Sequence, residues 1–274
     1  ADALNDLVVL SDGPSAVSVI MTDPPMTFYV TNTSEGGLGS FRQAIVDSNA
    51  SSGVDTIAFA LVGSGPHYFR LLADLPDITD AVTIDGTTQP GYSGTPVIVI
   101  DGSDGVLPSE YPNGLNVKAP NTLIRGLSII NVYRLPSPEQ GVAIDCNHDI
   151  LSANCTIEGN YLGLDPFGVV APNWLGVNLS GGSSGSVVGG TLPAAGNVIA
   201  GNTWHAIFSP ADESDQTIQG NYFGLAPNGL SAVVGENNVM LDSDANLVGG
   251  TVAGARNVFA GHPDWSLELS GSTG

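Results

Sequence analysis

The sequence predicts an all-β protein, folded as a parallel β-helix with coils of about thirty residues and a short amphipathic helix near the N-terminus. An internal repeat, short strands separated by turn residues, and a turn-rich composition lead to this prediction. Of the 274 residues, 36 are glycine and 18 are proline, whereas 42% are hydrophobic and only 12% are charged. Because repeats stack on one another, one elongated domain can take up this whole length.

Residues 155–274 contain the same sequence of about sixty residues twice. Gly159 of the first copy corresponds to Gly220 of the second, and Asn197 corresponds to Asn257, at offsets of 61 and 60 residues. Each copy divides again into halves of about thirty residues, and coils start near residues 122, 155, 186, 216 and 246. A repeat of this length is typical of one coil of a solenoid.

Each coil contains three short predicted strands. The first carries two neighbouring aliphatic residues or a Thr–aliphatic pair, and period-two alternation points one side chain inward: Ile124, Ile157, Val188, Ile218 and Val248. Second strands are clear at residues 197–200 and 257–260, and third strands at 141–144, 176–179, 238–241 and 266–269. Strands this short do not form stable isolated hairpins, so each is expected to pair with its equivalent in the next coil.

Less regular coils precede the repeats. Residues 82–86, 96–102 and 114–117 are predicted to be the three strands of one coil, with Ile84 as the counterpart of Ile124 forty residues later. Residues 55–59 and 67–72 indicate a looser coil before it. The additional residues of these coils are expected to form loops.

One segment, residues 40–49, breaks the β pattern and is predicted to be a helix. Ser40 and Gln43 have the spacing of a capping box, and one face is formed by Phe41, Ala44, Ile45 and Ser48. The end of a β-helix exposes apolar side chains and unpaired strand edges, which a short amphipathic helix can cover. We therefore expect an N-terminal cap.

Glycine and asparagine recur at the turns that follow the strands. The glycines are expected to adopt a left-handed conformation that turns the chain: Gly126, Gly159, Gly189, Gly220 and Gly249. The asparagines are expected to stack on their equivalents as a hydrogen-bonded ladder rather than to bind a ligand: Asn160, Asn197, Asn202, Asn221 and Asn257.

The predicted organisation has three parts. Residues 1–27 are either an added strand pair, at 7–10 and 17–20, or a flexible leader. Residues 28–120 hold the cap and the irregular coils, and they continue into the regular coils of 121–274 as a single domain. Gly274 falls where another coil would begin, so we expect either further repeats or a partner that covers this end.

The N-terminal segment and the repeats together carry a family resemblance. Residues 39–45 read Gly-Ser-Phe-Arg-Gln-Ala-Ile, and they are followed by Val-Thr-Ile-Asp-Gly-Thr-Thr-Gln-Pro-Gly-Tyr at 82–92 and by the Gly-Asn-Tyr and Val-Gly-Gly-Thr repeats. This order resembles bacterial secreted or surface-exposed right-handed parallel β-helix repeat proteins over roughly residues 28–274. Their N-terminal hallmark is Cys-Ser-Leu-Arg-Glu-Ala-Ile, from which Gly39, Phe41 and Gln43 depart. The resemblance implies a right-handed β-helix outside the cell and a surface role, often described as adhesive.

The chain is strongly acidic, with a net charge of −21 and Lys118 as its single lysine. This charge disfavours nucleic acid and anionic membrane surfaces as partners. The sequence contains no run of eighteen apolar residues, so no membrane-spanning segment is expected. The acidity is expected to keep a monomer soluble or to reflect a salty habitat, with cation binding by part of the surface as the alternative. No cofactor is expected to be required, although calcium could bind.

Cys146 and Cys155 are the only cysteines and lie nine positions apart. A zinc site needs four ligands, and only His148 stands between the two thiols. A local disulfide is the favoured interpretation, and it implies an oxidising, extracytoplasmic location. Two buried, reduced thiols are the alternative.

Carbohydrate-active enzymes also use β-helices, but their patterns are missing from the sequence. A calcium-dependent lyase needs clustered carboxylates beside a base, yet we find no outward acidic column facing Arg125 or Lys118. An inverting hydrolase needs two carboxylates about 6.5–9.5 Å apart. Asp145 and Asp242 occupy the same position after their strands but lie three coils, about 14 Å, apart.

The best candidate surface lies around the third strands of the repeats. Alignment of Gly176 with Ala206 places Trp174 and Trp204 at equivalent positions of adjacent coils. Stacked aromatic rings about 5 Å apart suit the flat faces of sugars or a protein partner, and the alternative is that both indoles pack over loops. The predicted ligand-binding residues are Trp174, Trp204, His205, Phe208 and Met240, and a weaker cation-site candidate comprises Asp212, Glu213 and Asp215.

Three functions are compatible with these features. The favoured hypothesis is a non-catalytic, extracytoplasmic protein, monomeric or part of a longer chain, that presents an elongated face to polysaccharide or a cell-surface partner. The alternatives are a polysaccharide lyase or glycoside hydrolase on the same scaffold, and a structural spacer of a larger surface protein.

Overall fold

The computed structural model describes residues 7–11, 17–21, 24–103, 112–133, 140–147, 154–236, 238–261 and 266–270. The first two strands, β1 (Leu7–Ser11) and β2 (Val17–Met21), form a separate antiparallel pair, which is the strand-pair alternative for this segment. From residue 24 onwards the described chain forms three parallel sheets of eight, seven and six strands. They are the walls of the predicted parallel β-helix, which is confirmed.

The strands of each sheet come from successive coils, in order along the axis. The first sheet contains β3 (Thr27–Val30), β4 (Asp55–Phe59), β6 (Val82–Asp85), β9 (Thr122–Arg125), β12 (Cys155–Glu158), β15 (Val187–Gly189), β18 (Thr217–Gln219) and β21 (Leu247–Val248). The second sheet contains β5 (His67–Arg70), β7 (Ile98–Asp101), β10 (Leu127–Ile130), β13 (Tyr161–Leu162), β16 (Val198–Ile199), β19 (Tyr222–Phe223) and β22 (Val258–Phe259). The third sheet contains β8 (Asn113–Val117), β11 (Val142–Asn147), β14 (Leu175–Ser180), β17 (Ile207–Ser209), β20 (Val239–Leu241) and β23 (Leu267–Leu269). The first coil supplies only β3 and the second only β4 and β5, whereas each later coil supplies one strand to every sheet.

The predicted inward column of the first sheet is confirmed. Ile84 pairs with Ile124, and the register continues through Ile157, Val188, Ile218 and Val248. All but the last of these side chains are fully buried, and Val248 is half-buried against the same core. Burial of a Val or Ile side chain contributes about 1.5–3 kcal/mol, so each coil adds its own increment of stability.

A short helix, α1 (Phe41–Asn49), covers the N-terminal end of the core, as predicted. Its buried face is the predicted one, comprising Phe41, Ala44, Ile45 and Ser48. The ring of Phe41 packs at 5.5 Å from that of Phe59 in β4 and at 5.8 Å from that of Phe69 in β5. The helix therefore closes the end with one aromatic side chain, Phe41, that contacts two sheets.

The corners between strands alternate in length, a feature that the repeat pattern does not predict. The first corner, from the first to the second sheet, has two residues after β12, eight after β15, two after β18 and nine after β21. The second corner, from the second to the third sheet, has twelve, seven, fifteen and seven residues in the same coils. The sixty-residue repeat is therefore a pair of coils that carry their long loops at different corners.

Two asparagine ladders run along the first and second corners. Asn160, Asn197, Asn221 and Asn257 form the first, with each side-chain NH2 donating to the next carbonyl oxygen at 2.9–3.2 Å. Asn202 was predicted to belong with these residues, but it lies at the second corner, where it accepts from Asn173 at 3.1 Å. The predicted turn glycines all have positive φ, and a Cβ at Gly220 would lie 2.2 Å from the carbonyl oxygen of Gly190.

The predicted disulfide is present between Cys146, in β11, and Cys155, at the start of β12. Both cysteines are fully buried within the hydrophobic core. The bond therefore joins the third sheet of one coil to the first sheet of the next from inside the solenoid.

Candidate functional site

The predicted aromatic residues come together on the outside of the third sheet and its adjoining corner. The N–H of Trp204 donates to the carbonyl oxygen of Trp174 at 2.8 Å, which fixes the two residues one above the other. Their indole rings stack with centroids 4.3 Å apart and planes inclined by 11°. We call the predicted set, Trp174, Trp204, His205, Phe208 and Met240, the aromatic ridge.

The rest of the aromatic ridge packs around Trp204. The His205 ring lies 4.1 Å and the Phe208 ring 5.3 Å from the Trp204 ring, between centroids. The Nδ1–H of His205 donates to Asn238 Oδ1 at 2.6 Å, which fixes the imidazole. Met240 is the register partner of Phe208 in the next coil. The ridge thus extends over three consecutive coils on β14, β17 and β20 and the residues just before them.

The stacking restricts how a sugar could use the ridge. The indoles of Trp174 and Trp204 cover one face of each other, so a flat sugar ring cannot lie between them. Both tryptophans and Phe208 are half-buried, and His205 is buried. The ridge therefore presents ring edges and at most one outer face of each indole, rather than the fully exposed faces that the sequence suggests.

A polar column continues the aromatic ridge along the same sheet. The register places Asn116, Asp145, Asn178, Phe208 and Met240 in line across five coils. Asp145 accepts hydrogen bonds from Asn113 at 2.9 Å and from Asn178 at 2.8 Å. Burial raises the pKa of Asp145, and the two asparagines and Lys118 offset only part of that rise. Asp145 was predicted to share its position with Asp242, but it lies within β11 and aligns with Met240.

The predicted acidic trio is divided between the interior and the surface. The Glu213 carboxylate is buried and accepts hydrogen bonds from the Gly182 N–H and the Ser184 hydroxyl. Asp212 and Asp215 are exposed. Within the described ranges, no three His, Cys, Asp or Glu residues are grouped so that they could hold a metal ion. Glu213 ties its corner to the preceding coil, and calcium binding by the trio gains no support.

A second site, which the sequence pattern does not predict, lies at the first corner. Asp85, Arg125 and Glu158 are register partners on β6, β9 and β12. Arg125 Nη2 donates to Asp85 Oδ2 at 2.7 Å, and Arg125 Nη1 lies 3.5 Å from Glu158 Oε1. The expectation that no acidic column faces Arg125 is therefore wrong, because a carboxylate flanks it on either side.

Two long loops enclose Arg125 and Glu158 of this column in a groove of about 290 Å³, which we call the corner groove. Thr87 and Tyr92 form one wall, and the loop after β15 forms the other with Leu192, Ala194 and Ala195. Gly126 and Gly159 complete the lining. The short two-residue corner after β12 leaves the space that the longer neighbouring loops enclose.

Electrostatics in the corner groove favour a fixed ion pair. Burial raises the pKa of Asp85, but hydrogen bonds from Arg125 and Thr87 outweigh it and hold the pKa below its usual range. The hydrogen bond to Asp85 raises the pKa of Arg125 in turn. Burial, together with the nearby Tyr161 and Asp85, raises the pKa of Tyr92, so its hydroxyl remains protonated at neutral pH.

A second groove, of about 390 Å³, lies beyond the Leu192 loop. Tyr222 and Arg256 line it together with Pro193 and Val252. Leu192 faces both grooves and is 73% exposed, so it stands as a partition between them.

No protein-family model matches the chain, and a search of curated proteins returns no match. In the described part of the chain, no helix has the length and apolar character needed to cross a membrane.

Proposed function

We propose that this protein is an extracytoplasmic, non-catalytic β-helix protein that binds carbohydrate, or a carbohydrate-bearing surface partner, along the third sheet. The observation that carries the proposal is the aromatic ridge in line with the amide–carboxylate column of Asn116, Asp145 and Asn178. Sugars present apolar C–H groups beside hydroxyls, and binding sites for such amphipathic ligands combine aromatic side chains with a few fixed polar groups. The Cys146–Cys155 disulfide supports an oxidising location.

The proposal is tested by affinity electrophoresis and calorimetry with cellulose, xylan, mannan, chitin and pectin fragments. We expect at least one to bind, and we expect the double variant Trp174→Ala/Trp204→Ala to weaken that binding by about tenfold or more. Trp174→Phe/Trp204→Phe should keep most of the affinity, because it retains a stacked pair.

Phe167→Ala provides the matched control. Phe167 is 72% exposed and lies in the same corner loop as Trp174, but it is not part of the ridge. The control should bind like the wild type. If the folded double alanine variant binds as tightly as the wild type, or if none of the polysaccharides binds, the ridge is not a carbohydrate site.

The main alternative is a polysaccharide lyase or glycoside hydrolase, which needs groups that exchange protons with the substrate near the working pH. In the corner groove, hydrogen bonding holds the Asp85 pKa low and the Arg125 pKa high, so this pair resists proton transfer at neutral pH. A screen of polysaccharides for new reducing ends or unsaturated uronates tests this alternative. Robust turnover would overturn the non-catalytic proposal, and a structural spacer predicts neither turnover nor binding.

A further inference from the structure

We propose that the corner groove is a second ligand site, specific for an uncharged sugar residue bound by Arg125, Glu158 and Tyr92. It lies on the first sheet and the first corner, whereas the aromatic ridge lies on the third sheet, so the two sites can be tested separately.

The charges of the groove select against ionic ligands. One guanidinium stands between two carboxylates, so the local charge is already negative without a ligand. An anionic sugar would therefore meet net repulsion, which the overall charge of −21 strengthens. A cationic ligand would have to displace Arg125, whose hydrogen bond to the nearly buried Asp85 fixes it in place.

The exposed members of the column form a donor–acceptor pair suited to hydroxyl groups. The Asp85 side chain is only 8% exposed, and its role is to hold Arg125 in position. The side chains of Arg125 and Glu158 are 38% and 25% exposed, so a ligand can reach them. The 3.5 Å between Arg125 Nη1 and Glu158 Oε1 exceeds a good N–H···O distance. A ligand hydroxyl placed to one side of this pair, within hydrogen-bond distance of both atoms, would accept from the guanidinium and donate to the carboxylate, making two shorter, charge-assisted hydrogen bonds.

The walls of the groove suit the apolar faces of the same ligand. Tyr92 supplies an aromatic ring, and the opposite wall supplies the aliphatic side chains of Leu192, Ala194 and Ala195. A volume of about 290 Å³ lies at the small end of ligand pockets. We therefore infer that the groove takes a short segment or one end of a sugar chain.

The test compares neutral and charged trisaccharides by isothermal titration calorimetry. Cellotriose, xylotriose and mannotriose are the neutral probes, and trigalacturonate is the anionic probe. The titrations use the Trp174→Ala/Trp204→Ala variant, so that the aromatic ridge does not contribute to the measured binding. We expect at least one neutral trisaccharide to bind and trigalacturonate to bind at least about tenfold more weakly.

Substitutions in the groove assign the binding to it. Glu158→Gln keeps the shape of the side chain but weakens the acceptor, and it should reduce neutral-sugar affinity about tenfold. Tyr92→Ala should reduce it by a similar factor. Arg256→Ala, on the other side of the Leu192 partition, should bind like its parent.

Three results would overturn the proposal: no neutral trisaccharide binds, trigalacturonate binds as tightly as the neutral probes, or Glu158→Gln and Tyr92→Ala both bind like their parent. These outcomes are independent of the aromatic ridge, whose own test relies on different side chains. A failure at one site therefore leaves the result at the other interpretable.

Discussion

Asp145 is a carboxylate surrounded by amides on the outer face of the third sheet. Its two oxygens accept from Asn113 and Asn178, and its residue as a whole is only 8% exposed. Loss of hydration disfavours the charged form, and burial is the main reason why the pKa of Asp145 is raised. The polar column is therefore held together at an electrostatic cost, which makes its stability sensitive to pH.

We predict that Asp145→Asn stabilises the protein at neutral pH. Because the folded pKa of Asp145 lies above the unfolded value of about 3.9, the native state holds this proton more tightly. The contribution of Asp145 to the free energy of unfolding is therefore most favourable below the unfolded pKa, and it declines as pH rises through the folded pKa. Asparagine does not titrate, so the advantage of the variant should grow over that window and then level off.

Urea unfolding of the wild type and the variant across this pH range measures the difference. Asp212→Asn, at an exposed position, is the control and should show little change. A variant that is less stable than the wild type at neutral pH would mean that the second acceptor oxygen of Asp145 matters more than its desolvation.

At the scale of single elements, the N-terminal helix shows how a sequence motif can be formed only in part. Ser40 Oγ accepts from the Gln43 N–H at 3.1 Å, as a capping box requires. The reciprocal bond is replaced, because the Ser40 N–H donates to Gly37 and the Gln43 side chain donates to Asp47. Ser40 therefore caps α1 without help from the Gln43 side chain.

This geometry predicts unequal costs for two substitutions in the same motif. Ser40→Ala should lower the free energy of unfolding by about 1 kcal/mol, because an orphan N–H of the helix loses its acceptor. Gln43→Ala should change it by no more than about 0.5 kcal/mol, because alanine has a high helix propensity. Equilibrium urea denaturation of both variants distinguishes the cases, and equal losses would indicate a complete capping box.

Most strands were predictable because each coil has aliphatic residues at the same inward positions, where they pack into a common core. The corners were not predictable, because the sequence similarity relates residues sixty positions apart. Residues that are neighbours in adjacent coils lie only about thirty positions apart, and the loops of those coils differ. Asn160 and Asn197, for example, lie in neighbouring coils and in different sequence motifs, and yet they belong to one ladder. Strand β3 was not predicted either, and it extends the first sheet beyond the predicted coils.

The two candidate sites also differ in how far the sequence could predict them. Trp174 and Trp204 occupy equivalent positions of adjacent regular coils, so the sequence could place them together. The column of the corner groove combines Asp85, from an irregular coil, with Arg125 forty residues later. The predicted alignment of Ile84 with Ile124 already places Asp85 beside Arg125, so the sequence did hold a signal for the column. The walls gave none, because they come from loops that only the folded coils bring together.

At the scale of the whole molecule, the long loops reach across an intervening coil. Gly168, in the second corner after β13, lies against Pro227, in the second corner after β19, so that an added Cβ would be 3.1 Å from the proline Cδ. These two loops belong to coils that are two strand spacings apart, about 9.6 Å. The coil between them has only seven residues at this corner, which leaves the necessary space.

We therefore predict that removing two coils is tolerated better than removing one. Deletion of residues 187–246 keeps the alternation of corners, and the urea m value should fall roughly in proportion to the length removed. Deletion of residues 187–216 places the two long second-corner loops one strand spacing apart, about 4.8 Å, where they would overlap.

Urea unfolding followed by circular dichroism compares these two deletions. The shorter deletion should have the lower midpoint, although it retains more coils. If its midpoint is equal to or higher than that of the longer deletion, the loops adapt freely and the coil pair is not a structural unit.

The alternation of the corners has a consequence for the gene. Unequal recombination between the two copies adds or removes about sixty codons, which preserves the reading frame and the order of long and short loops. An exchange of thirty codons also preserves the reading frame, yet it joins incompatible loops. Selection would then allow the array to lengthen or shorten in pairs of coils, and each new pair would add one more loop at the corner where the grooves form.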